Sequence, residues 1–272
     1  MRVAGAVACS ILLTTAACGL ASGLLAPPAF AMEVEQARTF EECDAVVRGR
    51  PTEFYCHQFL AQKTRTWREG IRHLEARLAA DPDDHLALLA LAILRAAIAD
   101  PQSETDLRRA AEALAAEKRF ELEGFARIGL FYLFGEQRRM GEAAAEMENA
   151  QKALDACGSP LLAAYLEYHR GLDSYYHVEY AGAVVHFKNA GTMADALKDR
   201  HLSSWVYNGL GLCHALLGKP GEAVEDYRHS ADLAHAGGDG FTEAFSRYDA
   251  YDNAIDAGWS AADQERLYQE AL

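Results

Sequence analysis

The sequence predicts an all-α chain, an αα-solenoid of about five to six helix–turn–helix units with a 40-residue period. Three observations carry that prediction. Residues 205–234, WVYNGLGLCHALLGKPGEAVEDYRHSADLA, read as two amphipathic helices separated by the Gly218–Gly221 break. The same order of bulky and small residues recurs when the frame is moved by 40. Half of the 272 residues are apolar and seven are Pro, a composition that suits Ala-rich helices burying one continuous core along a stack.

The columns justify each element in turn. The first bulky position holds Phe125, Tyr165, Trp205 and Phe245, and three residues later stand Ile128, Tyr168, Asn208 and Tyr248. The small position that follows is Gly129 and Gly209 in two copies, with His169 and Asp249 in the others. In the second helix Ala143, Ala183 and Ala223 precede Met147, Phe187 and Tyr227, continued by Leu267, and Ala150, Ala190 and Ser230 close the pattern. Stepping back places Leu107, Ala110 and Leu114 in a copy that starts near His85. Trp67, Gly70 and Leu74 fall in a degenerate copy before it. This register makes Trp205 a buried core residue and Gly209, rather than Gly211, the small position.

Quoted as motifs, the matches are Phe125-x2-Ile128-Gly129-x2-Tyr132 and Trp205-x2-Asn208-Gly209-x2-Leu212 in first helices, and Tyr180-x2-Ala183-x3-Phe187-x2-Ala190 in a second helix. Together they resemble the tetratricopeptide repeat (TPR) family over roughly residues 63–272. The unit is longer than that family's usual length of about 34 residues, and HEAT-like or other αα-solenoids are the alternative at 40. The resemblance implies a right-handed solenoid whose first helices line a concave groove for a peptide or protein partner. By register the groove positions are Glu123, Arg127 and Leu130 in one copy, then Arg170, Asp173 and Ser174. They continue as Val206, Leu210 and His214, and end as Ser246, Asp249 and Asn253.

In chain order, residues 1–31 read as a signal peptide. Arg2 precedes an apolar run from Val3 to Ala17, and Ala29-Phe30-Ala31 supplies small residues where a signal peptidase reads. Two readings of this leader stand. Cleavage after Ala31 gives an exported chain starting near Met32, whereas acylation of Cys18 after Thr15-Ala16-Ala17 gives a lipoprotein; Thr15 stands where a lipobox has Leu. No membrane span is expected in the mature chain. Residues 32–62 form an N-terminal helical hairpin, folded at Arg48-Gly49-Arg50-Pro51, that brings Cys43 and Cys56 together as a candidate disulfide in an oxidising compartment. Two buried free thiols are the other reading. Cys157 and Cys213 read as small buried hydrophobes. Ser103 is the expected N-cap of one helix, and Ser159 with Pro160 at the first helical position starts another. The last helix, from Ser260, is polar on one side, as a terminal cap requires.

The search for chemistry returns little. No His-x-x-x-His or His-Glu-x-x-His pair places two imidazoles on one helical face, so no metal site and no cofactor is expected. Gly237-Gly238-Asp239-Gly240 lacks the strand and the Lys-Ser/Thr of a phosphate loop and reads as an inter-repeat turn. Tyr175 and Tyr176 are candidates for an exposed aromatic patch. The formal net charge of −14 argues against nucleic acid, which needs a basic face, and suits a basic partner or plain solubility. The expected function is therefore a non-catalytic, exported protein-interaction scaffold. Its groove residues are Glu123, Arg127, Arg170, Asp173, Ser174, His214, Asp249 and Asn253. Two alternatives stay open: an αα-solenoid enzyme or ligand-binding protein using Arg170, Asp173, His214 and Asp249, and a lipid-anchored subunit of a cell-envelope assembly.

Overall fold

The computed structural model describes residues 37–47 and 53–271. The leader in both of its readings and the Arg48–Pro51 breaker lie outside the described residues. Among the described residues there are thirteen α-helices and no strand. They are α1 (Phe40–Val47), α2 (Glu53–Thr64), α3 (Trp67–Ala80), α4 (His85–Ala97), α5 (Ser103–Ala116), α6 (Phe120–Glu136) and α7 (Met140–Cys157). The series continues with α8 (Pro160–Tyr176), α9 (Tyr180–Leu197), α10 (Arg200–Leu216), α11 (Pro220–Gly237), α12 (Gly240–Asp256) and α13 (Ala261–Ala271). Two compact units divide the chain, Met1–Leu162 and Ala163–Leu272. No helix among the described residues is long and apolar enough to cross a membrane.

The 40-residue period is set by the turns. From α6 to α12 the helices alternate between 17 and 18 residues, joined by linkers of alternately three and two residues. Every linker from α5 to α13 is built around one left-handed residue. Arg138, Val178, Gly218 and Gly258 occupy that conformation inside the units, and Lys118, Gly158, Lys198 and Gly238 occupy it between them. Seven of these eight turns carry the paired bonds of a Schellman motif. At Val178, for example, its N–H donates to Tyr175 O at 3.0 Å and Glu179 N–H to Ser174 O at 2.9 Å. Gly158 instead donates to Leu154 O at 2.7 Å. The next helix is capped by a side chain that also keeps the 40-residue step. Ser159 Oγ accepts from Leu162 N–H at 3.2 Å, Asp199 from Leu202 N–H at 3.0 Å and Asp239 from Thr242 N–H at 3.1 Å. Ser103 differs from expectation: it is the first helical residue of α5, and Asp100 accepts from Gln102 N–H at 2.9 Å.

The core follows the columns. Phe125, Tyr165 and Trp205 are buried, as are Phe187, Tyr227 and Leu267 and the small series Ala143, Ala183 and Ala223. Two glycine columns, not one, let the helices approach. A Cβ on Gly209 would stand 2.8 Å from Phe187 Cζ, on the second helix of the preceding repeat, and a Cβ on Gly211 would stand 2.9 Å from the Tyr227 ring, on the second helix of its own repeat. Gly171 repeats the second arrangement 40 residues earlier, 2.6 Å from Phe187 Cε1. Phe187 is thus held between Gly171 and Gly209, and the choice of Gly209 over Gly211 was only half of the packing rule.

The ends depart from the repeat. Cys43 and Cys56 are disulfide-bonded, with Cα atoms 5.5 Å apart. Cys213 is buried, but Cys157 is exposed at the last residue of α7 rather than packed in the core. In α12 the first-helix column loosens: Phe245 is half-buried and Tyr248 is 58% exposed. The short α13 covers Val224 and Ala254 through Leu267, with Tyr251 and Trp259 alongside. Its Glu265, Arg266, Gln269 and Glu270 stay exposed, so the polar side is left to water.

Candidate functional site

In the first unit, Glu123 and Arg127 stand one turn apart on α6. Arg127 donates through Nη1 to the buried Glu146 on α7 at 3.2 Å, and through Nε and Nη2 to Glu123 at 3.4 and 3.3 Å. Arg108 Nη1 lies 3.9 Å from the same Glu146. These charges tie α6 to α7 rather than project outward, and Leu130 is fully buried. Near the end of α6, Arg108 and Arg139 lie over the Phe134 ring at 5.1 and 4.2 Å, where the electron-rich face attracts a cation. The 127/146 pair recurs one period later in the second unit as Glu167 and His186, with Nδ1 2.9 Å from Oε2. Burial raises the Glu167 carboxyl, but its bonds from His186 and Arg170 outweigh burial and hold it below the ordinary carboxylate range.

The other predicted groove residues divide into a half-exposed set and a buried one. Arg170, Asp173 and Ser174 are half-buried on one face of α8. Arg170 Nη1 donates to Glu167 at 2.5 Å, and Asp173 lies 3.6 Å from His177 Nδ1. Val206, Leu210 and Ser246, by contrast, are buried. Ser246 Oγ accepts from Asn208 Nδ2 at 3.0 Å and pairs with Ser230 Oγ at 2.9 Å, which bonds Ser204 O at 2.7 Å. His214 is also buried, with Nδ1 2.6 Å from Asp226 Oδ2 and Nε2 3.5 Å from Glu222 on α11. Its assignment to an open groove is corrected accordingly. The physical reason is that a first helix is packed on two sides, by its own second helix and by the preceding one, so positions just past the core column are still inside.

Asp249 is the sharpest case. It occupies the small column of Gly129 and Gly209, and that column faces the second helix of the preceding repeat. Gly129 meets Leu107 at 3.0 Å and Gly209 meets Phe187, each 22 residues back; the equivalent neighbour of Asp249 is Tyr227. The two are close enough for the Asp249 charge to push the Tyr227 hydroxyl up, after burial. Asp249 is 5% exposed, and its Oδ2 finds no hydrogen-bond donor among the described residues. Burial, with the nearby Asp252 charge, pushes its carboxyl up to about 7. Asn253, half-buried, donates to the Asp249 carbonyl at 2.9 Å. Tyr175 and Tyr176 are half-buried and in edge contact, their ring centroids 5.4 Å apart, and burial pushes the Tyr175 hydroxyl up to about 12. Glu167 for Arg170, His177 for Asp173, Asp226 for His214 and the Asp252 charge for Asp249 are thus neighbours of the four residues of the enzyme alternative.

A cluster that one-helix spacing could not disclose stands at the N-terminal end. Asp44 on α1 is bonded by His57 Nε2 of α2 through Oδ1 at 2.8 Å, and by His73 Nε2 of α3 through Oδ2 at 2.8 Å. Arg77 Nη1 donates to Oδ1 at 2.7 Å. The Phe40 ring stacks on both imidazoles, with centroids 6.1 and 5.7 Å away. Burial raises the Asp44 carboxyl, yet the bonds and charges of His57, Arg77 and His73 hold it well below the usual range. His57 and His73 are 16 residues apart in sequence on different helices, so a search for His pairs on a single helix passes over them. The expected absence of a metal-ligating group is revised on this point, since Asp44, His57 and His73 could together hold an ion.

No family model and no curated protein matches the chain. Solved structures do. BtubC (BKLC) from P. vanneervenii aligns with a TM-score of 0.55 at 18% identity, covering 78% of this chain and 84% of that one. PilW, a widely conserved type IV pilus biogenesis factor, aligns with a TM-score of 0.54 at 16% identity, covering 77% and 87%. At these identities the likeness is one of fold, and the chain has the TPR-like helical-repeat architecture that its 40-residue register predicts.

Proposed function

We propose that this protein is a non-catalytic interaction scaffold, exported from the cytoplasm, that binds a peptide or protein segment along first-helix side chains. The observation that carries the reading is the α8 face. There Arg170, Asp173 and Ser174, at i, i+3 and i+4, remain half-exposed, while His214 and Asp249 are buried, His214 against Asp226. A guanidinium, a carboxylate and a hydroxyl on one ridge suit an extended peptide, whose backbone offers both donors and acceptors. The net charge of −14 favours a partner with basic side chains and disfavours nucleic acid.

The test is site-specific photo-crosslinking in the native compartment, with the probe at Ser174 and a control probe at the exposed Val185. A discrete adduct at Ser174 that disappears in the Arg170→Ala/Asp173→Ala double variant supports the reading. Equal labelling at both positions, or an adduct indifferent to the double variant, removes it. Export is tested separately by mass spectrometry of the mature N-terminus. A free Met32 supports signal cleavage; acylated Cys18 transfers the proposal to a lipid-anchored subunit.

A further inference from the structure

We propose that Asp44, His57 and His73 form a binding site for a divalent first-row transition ion, with zinc the ion their chemistry suits best. Three helices each contribute one ligand atom, and these atoms lie within 4.8 Å of one another. Nitrogen and oxygen donors at 2.0–2.1 Å from a tetrahedral zinc stand roughly 3.3–3.4 Å apart, so each imidazole–carboxylate pair, now hydrogen-bonded at 2.8 Å, would open by about 0.5 Å as zinc replaces the shared proton, and any pair near the 4.8 Å limit would close by about 1.4 Å. Two imidazoles and a carboxylate are a donor combination that zinc and its neighbours in the series prefer over calcium or magnesium.

The surroundings are organised for such a site. Cys43 and Cys56 adjoin Asp44 and His57 in sequence, so the disulfide clamps two of the three ligand-bearing residues side by side. Both rings turn Nε2 toward the shared carboxylate, and His73 Nδ1 faces Glu41 at 3.6 Å. An outer carboxylate at the far nitrogen fixes the tautomer and raises the basicity of a metal-bound histidine. Arg77 is the group an ion has to tolerate. It is held from the other side by Asp84, with Nε at 3.1 Å and a second contact through Nη2, and it donates to Asp44 Oδ1, so Oδ2, now paired with His73, is the oxygen that would turn to the ion. His73 also lines a cavity of roughly 360 Å³ with Arg38, Glu41, Thr64, Glu69 and Arg72. The cavity gives an ion a route to the His73 side of the cluster, while His57 is buried behind it.

The test uses the full chain with its disulfide intact, loaded with zinc and dialysed, with metal counted by mass spectrometry and affinity read by competition with a chromogenic chelator. One zinc per chain is expected. His73→Asn and Asp44→Asn should each weaken binding at least tenfold, the size seen when ligands or their supports are lost, and His177→Asn should leave it unchanged. Cobalt in place of zinc should give the visible absorption of a four-coordinate site that His73→Asn abolishes. In the unsubstituted chain, where folding is not in question, zinc should protect His73 from diethylpyrocarbonate. Absence of stoichiometric zinc, equal affinity in the His73→Asn and Asp44→Asn chains, or unprotected His73 overturns the proposal.

Discussion

Asp249→Asn tests whether the 40-residue register places that carboxyl in the interior against Tyr227. The side chain is buried and its carboxyl is pushed up from 3.8 to about 7, by burial first and by Asp252 second. For an acid the sign is then fixed. Between roughly pH 4 and pH 7 the folded chain holds this proton and the unfolded chain has released it, so stability falls as pH rises through that window. At about 1.4 kcal/mol per pH unit, the ionised form carries a penalty on the order of 4 kcal/mol above pH 7. Asparagine has nearly the same shape and no charge to lose. Urea unfolding of both chains should therefore give an Asp249→Asn advantage of roughly 1.5 kcal/mol at pH 5 that widens to about 4 kcal/mol at pH 8. Asp226, Glu121 and Glu136 are also raised and Asp44 lowered, so either curve alone is composite; the difference between them isolates residue 249. Parallel curves from pH 5 to pH 8 would mean a solvated, ionised Asp249 and would refute the burial argument along with the column that produced it.

The turns and the helix approaches make their own predictions. Val178 is β-branched at φ +64°, where L-residues carry a strain of roughly 1–2 kcal/mol, whereas Gly218 occupies the equivalent turn at φ +73°. Allowing about 0.5–1 kcal/mol for glycine's extra freedom in the unfolded chain, Val178→Gly should stabilise slightly and Gly218→Val should destabilise by about 1 kcal/mol. Opposite shifts of the thermal midpoint check this. Gly211→Ala, which forces a methyl against the Tyr227 ring, should cost about 1–3 kcal/mol. Gly221→Ala, with nothing within 4 Å of its Cβ, should gain up to about 1 kcal/mol; chemical denaturation separates the two. Replacing Cys43 and Cys56 together by Ser opens a loop of sequence separation 13 and should cost about 3 kcal/mol, seen as early loss of α1–α2 protection in hydrogen exchange.

The repeat was legible because its determinants are periodic and local. A 17-residue helix, a left-handed turn and an 18-residue helix each leave a mark at fixed spacing, and Phe187 or Tyr227 can be placed from the column without knowing what they touch. What the columns could not reveal is which faces are covered twice. Gly211 looked surplus to the register until the structure set it against Tyr227. His214 and Asp249 looked like groove residues because the register counts positions along one helix, whereas burial depends on two neighbours. The Asp44–His57–His73 cluster was out of reach for a related reason. Its members sit on three helices outside the regular repeat, and only the relative rotation of those helices brings Nε2 of both rings onto one carboxylate.

The self-pairing of the first-helix charges bears directly on the partner proposed above. Arg127 is bracketed by Glu123 and Glu146, Glu167 takes bonds from both His186 and Arg170, and His214 is met by Asp226 with Glu222 nearby. An acidic segment approaching α6 or α11 would have to displace a carboxylate already bonded to the protein, and half-buried pairs of this kind are costly to break by removing one member. The carboxylates of the first and third clusters are themselves matched by further cations, Arg108 approaching Glu146 at 3.9 Å and Lys219 bonding Glu222 at 2.9 Å, so a lysine or arginine of the partner would be drawn by the overall charge of −14 rather than by an unmatched carboxylate. Binding of a basic peptide should then weaken steadily with added salt, as expected where surface charge supplies the attraction. Insensitivity of the Ser174 adduct to ionic strength would assign the attraction to the half-exposed tyrosines beside it instead.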